Sequence, residues 1–146
     1  IYAGQPMSQL KRLQSLQDAA ARLIYGGSKC CHMTPLLESL HWLRMPERVD
    51  YKLCLMVFKA LHGLAPDYLA ELMRKTHINE RGITLRSARS CASQLEMPKR
   101  QSCTVFGDRS FRTAGPAAWN ALPEKLRVQD SETTFRRLLK THLFSR

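Results

Sequence analysis

Five cysteines and five histidines are the side chains of this sequence best suited to bind metal or act as nucleophiles. The tightest group is "KCCHM", which places Cys30, Cys31 and His32 together, with His41 further along. Zinc would need four ligands converging tetrahedrally, and two adjacent cysteines cannot easily both turn toward one ion. No C-x-x-C pair occurs, and Cys91 and Cys103 stand apart from any paired ligand spacing. Neither a metal nor another cofactor is expected. A thiol nucleophile built from Cys31 and His32 is the least favoured reading, because such pairs are defined by spatial geometry and not by adjacency. His41 precedes Trp42 in an apolar stretch, His62 falls at an expected helix end, and His77 and His142 lie in basic surroundings. No serine elbow or paired-carboxylate pattern accompanies any of them. Asp18, Asp50 and Asp67 fall on expected helix surfaces or caps. Two-metal phosphoryl transfer would need carboxylates converging on the metals, and the first 80 residues hold no strand pattern to present them. The expectation is therefore no catalytic residue, and no enzyme activity from this chain alone.

The elements that would position these side chains are mostly helical. Leu10, Leu13, Leu16, Ala20, Leu23 and Ile24 recur at helical spacing from Ser8, and Gly26-Gly27 ends that run. Thr34-Pro35 reads as an N-cap and first turn of a short helix through Leu36, Leu37, Leu40 and Trp42. Pro46 opens the strongest helix, with Val49, Leu53, Met56, Val57, Ala60 and Leu61 in one stripe widened by Tyr51, Leu55 and Phe58. His62-Gly63-Leu64 closes it, and Pro66-Asp67 starts a fourth helix. From Lys75 the chain turns polar and weakly periodic, which reads as a basic linker with a short strand at 83–86. Gly107-Asp108 between Val105-Phe106 and Arg109 to Phe111 predicts a tight β-hairpin. Gly115-Pro116 is expected to open a short helix carrying Trp119 and Leu122, closed by Pro123. A last helix follows Asp130-Ser131, with Phe135, Leu138, Leu139 and His142 inward and Arg136, Arg137 and Lys140 outward. The fold class is mainly α: a small helical bundle (1–75), a basic linker or loop (76–94), and an appended β-hairpin, short helix and docked C-terminal helix (95–146), together forming one domain. Trp42, Phe58, Phe106, Phe111, Trp119 and Leu122 are the expected anchors of its core.

Charge indicates the kind of partner. Lys and Arg number 23 against 12 Asp and Glu, a formal net charge of +11. Residues 81–146 hold 13 of the basic and 5 of the acidic side chains. This asymmetry favours a polyanion, with RNA or single-stranded DNA bound weakly and without strong sequence preference. The candidate phosphate contacts are Arg81, Arg86, Arg89, Lys99, Arg100, Arg109, Arg112, Arg136, Arg137 and Lys140. No apolar run approaches the roughly 20 residues that cross a bilayer, so no membrane partner is expected. An odd cysteine count without a secretory signal predicts reduced thiols in an intracellular setting, nuclear or cytoplasmic. A scaffolding or protein-interaction domain with incidental charge is the competing expectation.

The stretches "LQSLQDAAARLIYG", "TPLLESLHWLRMPERVDYKLCLMVFKALHGLAPDYL", "FGDRSFRTAGPAAWNALPEKLR" and "FRRLLKTHLF" carry a resemblance. In this order they resemble the C-terminal tail, after the polymerase thumb, of non-LTR, LINE-type retrotransposon reverse transcriptases of the jockey-like and chicken-repeat-like groups. "LHWL", "LAPDYL" and "GPAAWNALP" are the most specific parts. The resemblance implies a parent RNA-directed DNA polymerase whose polymerase portion would be a natural partner. The aromatic-Ala-Asp-Asp palm turn and any endonuclease motif are absent from this sequence, so no catalytic residue carries over. A cysteine-rich knuckle found in related groups is not matched by Cys30, Cys31, Cys91 and Cys103. The chain, which opens at Ile1, reads as a fragment of a longer open reading frame: a nucleic-acid-handling accessory or a relic without function.

Overall fold

A computed structural model describes residues 2–28, 31–73, 94–98 and 107–145. Seven α-helices order these residues: α1 Met7–Tyr25, α2 Met33–Ser39, α3 Met45–Leu61, α4 Asp67–Glu71, α5 Phe111–Asn120, α6 Glu124–Arg127 and α7 Glu132–Phe144. The mainly α expectation holds. No strand occurs among the described residues. No described helix is long and apolar enough to cross a membrane.

Helix α3 is the hub. Its sequence has apolar residues on nearly every side, and it buries Leu53, Cys54, Leu55, Val57, Phe58 and Ala60. It packs against α1, α4, α5 and α7. One core gathers Leu43, Val57, Phe58 and Met73 with Leu95, Trp119, Leu122, Leu126, Phe135, Leu139 and Leu143. The C-terminal helices thus complete the core begun by α3. At its centre the Phe58 and Phe135 rings stack at 4.4 Å, and Trp119 tilts against Phe135 at 5.7 Å. Of the expected anchors, Phe58, Trp119 and Leu122 are buried, and Phe111 is half-buried against the core. Trp42 is half-buried beneath the Arg48 guanidinium, 5.8 Å from the ring centroid. Phe106 lies outside the described residues.

Turn chemistry explains where the helices stop. Gly26 and Gly63 have φ of 61° and 69°, a backbone region that L-residues with side chains enter at a cost. Each closes its helix with a bond from the following residue, the Gly27 N–H reaching the Arg22 carbonyl and the Leu64 N–H reaching the Lys59 carbonyl. Helix α2 ends the same way, but His41 occupies the left-handed position at φ 52°, and the Trp42 N–H donates to Leu37 at 2.8 Å. This cap ends α2 at Ser39, before Trp42, and the helix starts at Met33 instead of behind Thr34.

Three expectations are corrected. Gly107–Arg109 forms a turn of 3₁₀ helix, and the Ser110 N–H donates back to the Gly107 carbonyl, so Arg109 to Phe111 is no hairpin strand. The remaining arm of that hairpin, Val105-Phe106, and the expected strand at 83–86 lie outside the described residues, as does most of the 76–94 linker. Second, α5 begins at Phe111 behind Ser110, so Gly115-Pro116 lies inside the helix and does not open it. Both residues are buried, and a Cβ on Gly115 would come within 3.1 Å of Val57 Cγ2. Glycine and proline are used here for a close approach to α3, at the loss of one helical N–H. Third, Leu16, Leu23 and Ile24 are 68%, 84% and 57% exposed, so half of the apolar stripe of α1 turns away from the core. Of that stripe only Leu10 is buried, with Leu13 and Ala20 half-buried, and the buried side is completed by Gln17 and Ala21. Two amides set that orientation. Gln17 Nε2 donates to the Leu43 carbonyl at 2.8 Å, and Gln14 Oε1 accepts from the Met45 N–H at 2.8 Å.

The Asn of "GPAAWNALP" also has a structural role. Asn120 Oδ1 accepts from the Leu95 N–H and its Nδ2 donates to the Leu95 carbonyl, both at 2.8 Å. One side chain thereby satisfies both backbone groups of a residue that is only 2% exposed. Asn120→Ala should cost about 2–3 kcal/mol in urea unfolding, since two buried backbone groups lose their partners. Asn120→Asp keeps the acceptor but turns a carboxylate toward the Leu95 carbonyl, and should also destabilise. A cost below about 0.5 kcal/mol for both would show that this clamp contributes nothing.

Candidate nucleic-acid interface

Helix α7 follows Ser131 and carries Glu132 in its first turn, where a carboxylate suits the positive end of the helix dipole. Phe135, Leu139 and Leu143 are its buried side. Leu138, placed inward by its spacing, is exposed, and His142 is half-buried. Arg136 and Arg137 are exposed and Lys140 is half-exposed, on the side away from the core as their spacing predicts.

These three do not stand alone. Glu132 Oε1 takes Lys59 Nζ of α3 at 3.3 Å and Arg136 Nη1 at 3.5 Å. Arg136 also donates a hydrogen bond to the Tyr51 phenol of α3. Tyr51, by that hydrogen bond and then by its charge, holds the Arg136 guanidinium above its ordinary pKa; desolvation opposes it, and the Glu132 carboxylate adds the least. It stays cationic at every working pH. These contacts lay α7 along the Tyr51–Lys59 edge of α3. Arg48, Lys52 and Lys59 share that edge of α3 by helical spacing, with Arg48 and Lys52 exposed. Helical spacing then places Arg48, Lys52 and Lys59 of α3 and Arg136, Arg137 and Lys140 of α7 about this junction, which makes a candidate basic face. Glu132 is the acidic residue bonded within it, and it locks two of the cations in place.

Sequence reading missed the α3 half of this face. Residues 1–80 are nearly charge-balanced as a whole, with 10 basic and 7 acidic side chains, and that balance masks the helical spacing of Arg48, Lys52 and Lys59. Arg109 and Arg112 belong elsewhere. Arg109 is half-buried with its Cγ against Gly4, and Arg112 is exposed on α5, on a different side of α3. Arg81, Arg86, Arg89, Lys99 and Arg100 lie outside the described residues.

Other candidate chemistry is sparse. Cys31 and His32 are exposed, and Cys31 Sγ has Ser28 Oγ at 3.6 Å. Cys30 lies outside the described residues. No group of three His, Cys, Asp or Glu side chains is placed to hold a metal among the described residues. A shallow cleft of about 350 Å³ between the chain start, α3 and α5 is lined mainly by apolar side chains, with Asp50 its one carboxylate.

No family model matches the chain, and comparison with curated proteins and with solved structures finds no match either.

Proposed function

We infer that this chain is a non-catalytic nucleic-acid-binding region, and that its basic α3–α7 face contacts the phosphates of RNA or single-stranded DNA with little sequence preference. The observation that carries this reading is the pre-ordered face itself. Six cations from two helices lie about a single carboxylate, and two of them, Lys59 and Arg136, are tied in place by the Glu132 contacts and the Tyr51 bond. Cations held in place before binding lose less side-chain entropy when a phosphate arrives. Phosphate contacts of this kind position a strand without reading its bases. The sequence resemblance to retrotransposon reverse transcriptase tails supports the same reading: an accessory surface for the template of a polymerase encoded in the same longer chain. In such a parent protein the polymerase portion would be the second partner and the compartment intracellular.

Fluorescence anisotropy of a labelled single-stranded RNA, titrated across a salt series, tests this. If about four phosphates are neutralised, log Kd should change with log salt at a slope of magnitude roughly 3. Binding that is absent or insensitive to salt would leave a protein-interaction scaffold as the better description.

A further inference from the structure

The outward side of α1 is an apolar feature left unexplained by the basic face. Leu16 and Leu23 are 68% and 84% exposed on a folded helix, flanked by Ile24 at 57%. Leu13 and Ala20, both half-buried, complete the set. Leu13, Leu16, Ala20 and Leu23 follow the alternating spacing of three and four that forms a coiled-coil seam. No described element packs over Leu16 or Leu23.

We propose that this seam pairs with α1 of a second copy of the chain, antiparallel, to form a weak homodimer. The pattern is self-complementary in that direction. Centred on Asp18, an antiparallel pair sets Leu16 against Ala20 twice in the middle and Leu13 against Leu23 at each end. In the middle a large residue then meets a small one, as close packing requires, and the two end pairs bring leucine against leucine. A parallel pair would set Ala20 against Ala20 and leave a gap. Charge favours the same direction. Arg12, the cation bordering the seam, would lie beside the C-terminal end of the partner's α1, where the helix dipole is negative. Ala19 would face its own copy, small enough for close approach. The surface is isologous, with each contact made twice, as in most dimers.

Area limits the strength. Residues 13–23 span only about 16 Å of helix, too short a seam to bury the roughly 1,600 Å² of a standard interface. A dissociation constant on the order of tens of micromolar or weaker is expected. The net charge of +11 opposes association, and salt screens it. Dimerisation should therefore strengthen with salt, opposite in sign to binding of a nucleic acid.

Sedimentation equilibrium of the full chain, freed of nucleic acid, gives the test. The weight-average mass should rise from 16.7 kDa toward twice that value between about 10 μM and 1 mM, more steeply in high salt. Leu16→Glu with Leu23→Glu should hold the mass at that of the monomer while circular dichroism and melting stay as in the parent, since both side chains already face solvent. Ala20→Leu reports the direction: it crowds the antiparallel seam and should weaken the dimer at least tenfold. A monomer at every concentration and salt overturns the proposal. So does a dimer that survives the double substitution, or one that Ala20→Leu tightens.

Discussion

Phe135→Ala should lower the stability of this chain by about 4 kcal/mol, more than any other single truncation in α7. Its ring is fully buried, stacked on Phe58 and tilted against Trp119. It therefore joins the central helix, α5 and α7 at one point. Removing it forfeits the transfer of a large apolar surface from water and leaves a cavity whose walls are three helices that cannot all collapse inward. The aromatic pairings add about 0.5–1.5 kcal/mol beyond area. For a domain of this size the melting temperature should fall by roughly 10–15 °C. Leu138→Ala in the same helix is the control. Leu138 is exposed, and its truncation should cost less than about 1 kcal/mol. Equal effects of the two changes would mean that α7 is not docked through Phe135.

The contrast between Leu138 and Phe135 shows how far the sequence could be read. Helix α3 was plain because its apolar positions wrap around it, so any rotation buries something. Helix α7 was nearly as plain, since three cations mark one side. Helix α1 is harder to read because its apolar stripe is only partly turned inward, with Leu10 buried and Leu16 and Leu23 exposed. Two glutamine amides decide which side turns in, by binding the backbone at Leu43 and Met45, and no periodicity carries that information. In "FGDRSFRTAGPAAWN" glycine and proline were given their usual roles at turns and helix starts. Here the buried approach of Gly115 to Val57 outweighs those preferences, a tertiary contact invisible to local rules. The basic face followed the same pattern. Its α7 half was legible from spacing within one helix, while its α3 half depended on knowing that Tyr51 and Lys59 lie alongside Arg136 and Glu132.

Reversing Arg136, Arg137 and Lys140 to glutamate should abolish most single-strand binding, and the size of the loss follows from counterion release. Each phosphate neutralised contributes about 0.7 to the salt exponent on a single strand. Three lost contacts then remove about two from the exponent, which at about 0.1 M salt is close to a hundredfold in affinity. The residual salt slope should drop toward that of the α3 cations alone. Arg136 complicates the stability control, because its replacement sets a second carboxylate beside Glu132 and removes the bond to Tyr51. Arg137→Glu with Lys140→Glu avoids that conflict and should melt close to the parent while still losing more than tenfold in affinity. Arg48→Glu with Lys52→Glu, on the other helix of the face, should weaken binding to a similar degree. Arg112→Glu, exposed on α5 and away from the face, should change it little. If the α7 reversal leaves affinity and salt slope as they were, phosphate is not held by this helix. If only the α7 pair matters and the α3 pair does not, the strand follows α7 alone, and Lys59 and Glu132 serve to dock that helix and not to build a shared surface.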